Sequence, residues 1–276
     1  MVIQQPKIRK IKNTAIRVTV VAVAYTALWY QLRKYGGIHA MRESWMSWHS
    51  SSDDILLLSL VVIMMGINWS LEALKWRYLI RKSEKISFFR SLKAIFTGIS
   101  VGTFTPNRLG EFLGRSFILE RSHPWKVFFM TIIGSYSQLI ATVLFGAAGL
   151  LLFASRFTGL STGFTYLDML IAFFVVVSLL FLLLLYFNID ILDRYLGPWL
   201  RNKKPGFASW FHVIAGYSSV ELLVVLLFSA MRYAVFSLQF FILLRIFDFQ
   251  ITLGNSLLFT SVIYLVMTVI PSIALS

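Results

Sequence analysis

The residues best suited to chemistry lie in one segment, residues 98–115, which reads GISVGTFTPNRLGEFLGR. Pro106 suits the first turn of a new helix and Thr105 suits the N-cap before it, so the pair predicts a break in an otherwise apolar run. A helix that begins inside the protein directs free N–H groups and the positive end of its dipole at the break. The segment therefore predicts a buried site for an anion such as phosphate.

Charged side chains follow this break at helical spacing. Arg108, Glu111 and Arg115 share one face of a helix that starts at Pro106, with the carboxylate between two guanidinium groups. Asn107 adds a donor and an acceptor beside the break. The alternative interpretation is a charge cluster at the cytoplasmic surface. We favour a site, because ionisable groups this near a break in a membrane segment are costly unless they are used.

Small and polar residues surround the same break. Glycines at Gly-x-x-x-Gly spacing predict close packing of two helical limbs: Gly98 with Gly102, and Gly110 with Gly114. The next apolar run carries a polar patch, Ser135, Tyr136 and Gln138. These side chains either satisfy the broken backbone or line a path, and we favour the former.

Arg232 is a further candidate, because it lies near the middle of the apolar run 222–244. An arginine at that depth costs at least about 2.5 to 3.5 kcal/mol on insertion scales, so it needs an anionic partner. The candidates are Glu111, Glu72, an aromatic hydroxyl and a lipid phosphate, which leaves a structural ion pair and a ligand contact both open. The charge of Glu72 can be explained without Arg232, because Lys75 follows three residues later and can form an ion pair with it on the same helix.

Composition restricts the fold. Apolar residues form 58% of the 276 positions and charged residues 14%, with a mean hydropathy of +0.75, so no water-facing globular surface can be assembled. Runs of about 20 residues can cross a bilayer; they occupy residues 14–32, 55–74, 127–153, 167–187 and 222–244, and two shorter runs, 92–105 and 256–270, each meet a proline. These runs predict an all-α polytopic membrane protein with about six crossings and proline-broken re-entrant segments.

Metal and cofactor chemistry find no support in the residue types. The chain has no cysteine, and its four histidines lack the spacing of a metal-binding helix face. The glycine-rich loop that binds ATP phosphates, Gly-x-x-x-x-Gly-Lys followed by Ser or Thr, does not occur in the sequence. We therefore expect neither a metal nor a cofactor.

Lys and Arg are concentrated in alternate stretches of the chain. Twenty of the 26 lie in residues 1–17, 75–93, 108–126 and 188–220. Stretches rich in Lys and Arg then lie on one side of the membrane and stretches poor in them on the other, but only under two conditions. The N-terminus must be cytoplasmic, and the run 92–105 must dip into the bilayer from the cytoplasm and return to it. The first run follows a basic leader without a small-residue cleavage site, so we expect an uncleaved first helix.

The same layout predicts an inverted repeat within a single membrane domain, residues 1–276. Unit one would cover about residues 14–153 and unit two about 167–276, with Pro106 and Pro271 at corresponding places. Transport folds of this kind hold their site at mid-membrane. Unit two lacks a return limb and a closing helix, so we expect a C-terminal truncation.

At residues 105–112, TPNRLGEF, the chain resembles the lysylphosphatidylglycerol synthase transmembrane-region family, also called flippase-like domain proteins. The signature of that family reads Thr-Pro-Gly-x-Leu-Gly-Glu, with an arginine a few positions on; here the arginine is Arg115 and Asn107 replaces the glycine. The resemblance covers nearly the whole chain. It implies an integral membrane domain that moves lipid between leaflets, best known where it is fused to a cytoplasmic aminoacyl-transferase domain.

We expect a multi-pass protein of the plasma (inner) membrane that translocates or binds a lipid with an anionic headgroup and is not an enzyme. The predicted substrate-binding residues are Thr105, Pro106, Asn107, Arg108, Glu111, Arg115 and Arg232. The alternatives are a membrane-embedded transferase that acts on a lipid-linked substrate and a non-transporting partner subunit. Expected partners are membrane lipids, with a second copy of the chain or a separate cytoplasmic lipid-modifying enzyme as protein partners. Topology and anionic lipid explain the basic run 75–93, so nucleic acid is not expected.

Overall fold

The computed structural model describes residues 52–103, 105, 110–157, 165–203, 206, 210–247 and 249–269. The predicted first helix, residues 14–32, lies outside this part of the chain, as do Pro106, Asn107, Arg108 and Pro271. The inverted repeat, which depends on those residues, stays a prediction. The described residues form helices and contain no strand: α1 Ser52–Ile80, α2 Phe88–Gly102, α3 Gly110–Ser116, α4 Pro124–Phe157, α5 Thr165–Phe187, α6 Asp190–Lys203, α7 Ser219–Ile246 and α8 Leu253–Val269.

Three of these helices have the length and apolar composition of membrane crossings. They are the helical stretches Asp53–Ile80, Pro124–Leu152 and Ser219–Ile246, and α5 and α8 contain shorter apolar stretches. Large apolar side chains such as Leu56, Val62 and Ile63 are more than half exposed on α1. Such side chains need hydrocarbon around them. The prediction of an all-α membrane protein is confirmed for the described residues, whereas the number of crossings stays a prediction.

The loops richest in basic residues meet at one end of the bundle, which we call the basic end. There the Tyr217 hydroxyl donates to the Leu79 carbonyl oxygen at 2.8 Å, and Arg81 pairs with Glu221 at 2.9 Å. Glu221 also completes a capping box with Ser218 at the start of α7, which satisfies N–H groups that the helix leaves free. The end of α1 and the start of α7 are therefore tied together.

The tightest packing lies in the same half of the bundle. Trp76, Leu79, Ile95, Ile133 and Leu222 come from α1, α2, α4 and α7 and are completely buried. Burying each of these side chains contributes about 1.5–3 kcal/mol to stability when the unfolded reference is exposure to water. The contribution is smaller when the reference is exposure to lipid hydrocarbon. This packed core holds the ends of four helices rigidly around the polar groups described below.

The chain turns back between α2 and α3. Arg90, in the first turn of α2, donates to the carbonyl oxygen of Ile118, just after α3, at 2.8 Å, so both limbs meet the basic end. The limbs approach so closely that a Cβ on Gly114 would lie 2.6 Å from the Thr97 carbonyl oxygen and 2.7 Å from the Gly98 Cα. The predicted packing role of these glycines is confirmed. The observed α3 begins at Gly110, and residues 106–109, where the predicted helix starts, lie outside the described chain.

One helix has no counterpart among the predicted runs. The basic stretch 188–220 contains α6, an amphipathic helix of 14 residues. It is too short and too polar to be predicted as a membrane crossing. His212, in the stretch that follows it, contacts Asp193 of α6 through its ring nitrogen Nδ1 at 2.6 Å. This contact fastens the stretch after α6 back onto that helix.

Candidate functional site

A single buried carboxylate, that of Glu72, is shared by three cations from three helices. Lys75 lies on the same helix and places its Nζ 2.8 Å from Oε2 of Glu72. The Nη1 of Arg232 on α7 is also 2.8 Å from Oε2, and the Nη2 of Arg115 on α3 is 3.2 Å from Oε1. Glu72 is 6% exposed, so these charges interact with little screening by water.

Arg232 lies halfway along α7, thirteen residues after Ser219 and fourteen before Ile246. Its Nη1 donates to Glu72 and its Nε donates to Oδ1 of Asn68 at 2.7 Å. Of the partners considered for Arg232, the structure therefore selects Glu72, and it adds an amide that the sequence did not single out. Two acceptors on α1 hold the guanidinium at mid-helix, where it cannot reach either end.

Lys75 is part of this buried cluster. It is 2% exposed, and its Nζ donates to the Gly134 carbonyl oxygen at 3.3 Å and to the Ser229 hydroxyl at 3.4 Å. The Glu72–Lys75 pair predicted from spacing is confirmed. Lys75, although counted in the basic stretch 75–93, lies inside the bundle, because α1 continues for five residues beyond it to Ile80.

Arg115 connects this cluster to the broken segment. Its guanidinium pairs with Glu111 one turn earlier on α3 as well as with Glu72. The Arg115 side chain is 5% exposed, whereas that of Glu111 is 25% exposed. The buried Nε of Arg115 has no acceptor among the residues that the structure describes, so a donor remains available at this point.

These charges line an open cavity of about 450 Å³ to which α1, α2, α3, α4, α7 and α8 contribute residues. Its lining residues are Trp69, Glu72, Lys75, Ile95, Ile99, Glu111, Arg115, Gly134, Ser135, Gln138, Leu139, Thr142, Arg232, Phe236 and Thr268. The volume lies within the roughly 300–1,000 Å³ of small-molecule sites. Ser135 and Gln138 line this cavity, and the Gln138 amide points to the Ser229 carbonyl oxygen at 3.5 Å. Tyr136, the third member of the patch, instead donates to the Leu182 carbonyl oxygen of α5 at 3.3 Å. Because residues 106–109 lie outside the described chain, the choice between lining a path and satisfying the broken backbone stays a prediction.

Counted in their ordinary charge states, the ionisable side chains of the described lining carry a formal net positive charge. Lys75, Arg115 and Arg232 supply three positive charges, while Glu72 and Glu111 supply two negative ones. One unit of positive charge is therefore left without a counterion among these residues. The rest of the wall combines aliphatic and aromatic side chains with hydroxyl and amide groups, so it offers an anion hydrogen-bond donors as well as apolar contact.

The structure brings together three of the predicted site residues, Glu111, Arg115 and Arg232. Thr105 does not line the cavity, and its hydroxyl accepts from the backbone N–H of Gly110, the first residue of α3, at 2.7 Å. The predicted N-cap bond to residue 107 or 108 lies outside the described residues. The placement of the remaining three, Pro106, Asn107 and Arg108, is not described.

Sequence reasoning missed the centre of the site, although a signal was present. Asn68, Glu72 and Lys75 are separated by four and three residues within an apolar helix, so they share one face. Polar residues repeated in this way inside a membrane span indicate a polar interior face. A search for this spacing would have added all three residues to the candidates.

Comparison with known proteins identifies the family of the chain. A scan of protein families matches residues 15–276 to the lysylphosphatidylglycerol synthase TM region. Searches of curated proteins and of solved structures found no match. The family match covers nearly the whole chain, including every residue of the charged cavity. The chain therefore belongs to the lysylphosphatidylglycerol synthase TM region family, whose name relates it to lipid handling in membranes.

Proposed function

We propose that this protein binds the anionic headgroup of a phospholipid in the charged cavity and moves that headgroup across the bilayer without covalent change. The observation that carries the proposal is the surplus positive charge of the cavity, inside helices whose outer surfaces are apolar. A phosphate would supply the missing negative charge. The cavity volume suits a headgroup, so the acyl chains would remain in the surrounding lipid.

Each charged residue has a part in this proposal. Arg115 and Arg232 are the phosphate donors, since guanidinium groups bind phosphate oxygens with two parallel hydrogen bonds. Glu72 holds both guanidiniums in place and limits their repulsion. Glu111, the more exposed carboxylate, is the group that an entering phosphate displaces from Arg115.

The proposal also includes an orientation. We place the basic end in the cytoplasm of a plasma-membrane protein, because positively charged loops remain on that side. The α2–α3 pair is then a re-entrant segment, open to the cytoplasmic leaflet. Its α2 limb of 15 residues is about 22 Å long at 1.5 Å per residue, too short to cross the bilayer.

Purified protein in phosphatidylcholine vesicles tests this function. The vesicles contain fluorescent phosphatidylglycerol in one arm and fluorescent phosphatidylcholine in the other, and a membrane-impermeant quencher reports the lipid in the outer leaflet. We expect protein-dependent exchange of phosphatidylglycerol, with its mass unchanged. A new lipid product would favour the transferase alternative, and an exchange rate equal to that of protein-free vesicles would refute translocation.

A matched pair of variants on α7 tests the site. Arg232→Gln removes the surplus charge, whereas Arg245→Gln removes an exposed arginine from the last turn of the same helix. A charge-assisted hydrogen bond is worth about 1.5–3 kcal/mol, so Arg232→Gln should slow phosphatidylglycerol exchange by about tenfold or more. Arg245→Gln should leave the rate within about twofold. Equal rates in the two variants would remove Arg232 from the site.

A further inference from the structure

A second group of buried polar side chains lies beyond the cavity, between α7 and α8. We call Tyr233, Ser237, Ser256 and Thr260 the hydroxyl seam. They are exposed by 6%, 2%, 0% and 1%, respectively. None of the four hydroxyl oxygens makes a hydrogen bond of normal geometry within the described part of the chain, although the Tyr233 and Ser237 hydroxyls, one turn apart on α7, are near enough to interact with each other. The charged cluster around Glu72 does not account for them.

The register of the two helices aligns these hydroxyls. The six residues 247–252 join α7 to α8, so the helices are antiparallel. The ring centroids of Tyr233 on α7 and Tyr264 on α8 are 5.8 Å apart, so these two residues lie at the same height along the helix pair. One turn further from the basic end, Ser237 on α7 is at the level of Thr260 on α8. Ser256 lies another turn along α8, so the seam follows the helix pair away from the basic end.

The unpaired state of these hydroxyls is unusual for helical serine and threonine. Such side chains in a bilayer normally donate to a carbonyl oxygen in the preceding turn. Thr268 donates to Tyr264 at 2.7 Å and Ser261 to Leu258 at 2.8 Å in this way on α8 itself. A buried hydroxyl without a partner costs about 1–3 kcal/mol. A row of them therefore indicates a partner such as water, which satisfies buried polar groups in proteins.

The hydroxyl seam does not line the cavity itself, but on α7 its residues are next to residues of the cavity wall. Arg232 and Phe236 line the cavity, and each is followed directly by a seam residue, Tyr233 or Ser237. We propose that the hydroxyl seam is a hydrated path that continues the cavity toward the end of the bundle opposite the basic loops, and that it carries the headgroup through the second half of the crossing. This inference rests on the proposed translocation function, which the vesicle assay tests separately.

The cysteine-free sequence makes a direct test possible. Ser237→Cys and Ser256→Cys are nearly isosteric changes in the seam. Leu238→Cys and Leu257→Cys are matched controls at neighbouring positions, where the native side chains are 39% and 38% exposed on the outside of the bundle. Each full-length variant is first checked for a monodisperse elution profile in detergent and is then placed in vesicles. A charged, water-soluble methanethiosulfonate is added, and intact mass measures the modified fraction.

Methanethiosulfonates react with the thiolate, and an apolar environment without water suppresses formation of the thiolate. If the seam is hydrated and the controls face lipid, both seam cysteines should react about tenfold faster than both controls. Modification of Ser237→Cys should also slow phosphatidylglycerol exchange, while modification of Leu238→Cys should not. Seam cysteines that react no faster than the controls would overturn the hydrated path. Rapid modification with unchanged exchange would overturn its role in headgroup passage. Failure of the translocation proposal itself would be seen differently, as absence of exchange by the unmodified wild-type protein.

Discussion

Glu72→Gln is the substitution that most directly tests the shared carboxylate. Glutamine keeps the shape of the side chain and one carbonyl oxygen, but it removes the negative charge that Lys75, Arg115 and Arg232 approach within 2.8 to 3.2 Å. The described lining of the cavity then changes from a net charge of +1 to +2. Three neighbouring cations keep only Glu111 as a counterion, and that carboxylate contacts Arg115 alone among them.

The expected magnitude follows from the burial of this cluster. Removing one member of a buried ion pair typically costs 3–5 kcal/mol, because the remaining charge stays buried without compensation. The glutamine oxygen still accepts a hydrogen bond, so we take about 3 kcal/mol. For a chain of this size each 1 kcal/mol lowers the Tm by about 2–4 °C, which gives a fall of about 6–12 °C.

Thermal unfolding in detergent, followed through the eight tryptophans of the chain, measures this effect. Glu120→Gln is the matched control, because that carboxylate pairs with Arg90 at 2.9 Å but is 77% exposed, and such surface pairs contribute about 0–1 kcal/mol. Adding Lys75→Met to Glu72→Gln removes one uncompensated cation and should restore part of the lost stability. A Tm for Glu72→Gln within about 2 °C of wild type would refute the reasoning.

Two further predictions concern the α2–α3 contact and the basic end. Gly114→Ala places a methyl group 2.6 Å from the Thr97 carbonyl oxygen, so we expect about 1–3 kcal/mol of destabilisation in the same unfolding assay. The control Gly66→Ala, where a Cβ would have nothing within 4 Å, should be nearly neutral. Equal effects of the two substitutions would contradict the close packing of α2 and α3. Burial raises the pKa of Glu84, but N–H donors from Arg121 and its neighbour and the charge of Arg90 outweigh burial and lower that pKa overall. Its stabilising contribution is therefore complete above the unfolded pKa of about 4.3 and is lost as the pH falls through the folded value, so the Tm of Glu84→Gln should depend less steeply on pH over that window. Parallel Tm profiles for wild type and Glu84→Gln would contradict this assignment.

The helices were predictable because each is encoded by local composition. The run 55–74 lies inside α1, Ser52–Ile80, and the run 222–244 lies inside α7, Ser219–Ile246. The observed helices extend beyond the apolar runs, since capping groups and basic residues allow the last turns to continue outside hydrocarbon. Helix α6 was missed because apolar length does not identify a short amphipathic segment.

The charged site was predictable only in part. Glu111 and Arg115 could be paired from their spacing, since side chains four residues apart meet on a helix. Arg232 could be identified as needing an anion, because its depth in an apolar run is local information. That Glu72 is the partner of Arg232 could not be predicted from local spacing, since the contact joins residues 160 positions apart.

What the sequence alone determined is therefore the set of apolar helices, the polar break and the presence of charges that need partners. The tertiary structure decided how those charges are shared. Packing of α1 against α7 and of α3 beside them places three cations around the carboxylate of Glu72 and leaves one positive charge facing the cavity. The physical reason is that Coulomb energy depends on distance through space and on burial, and neither is fixed until the helices pack.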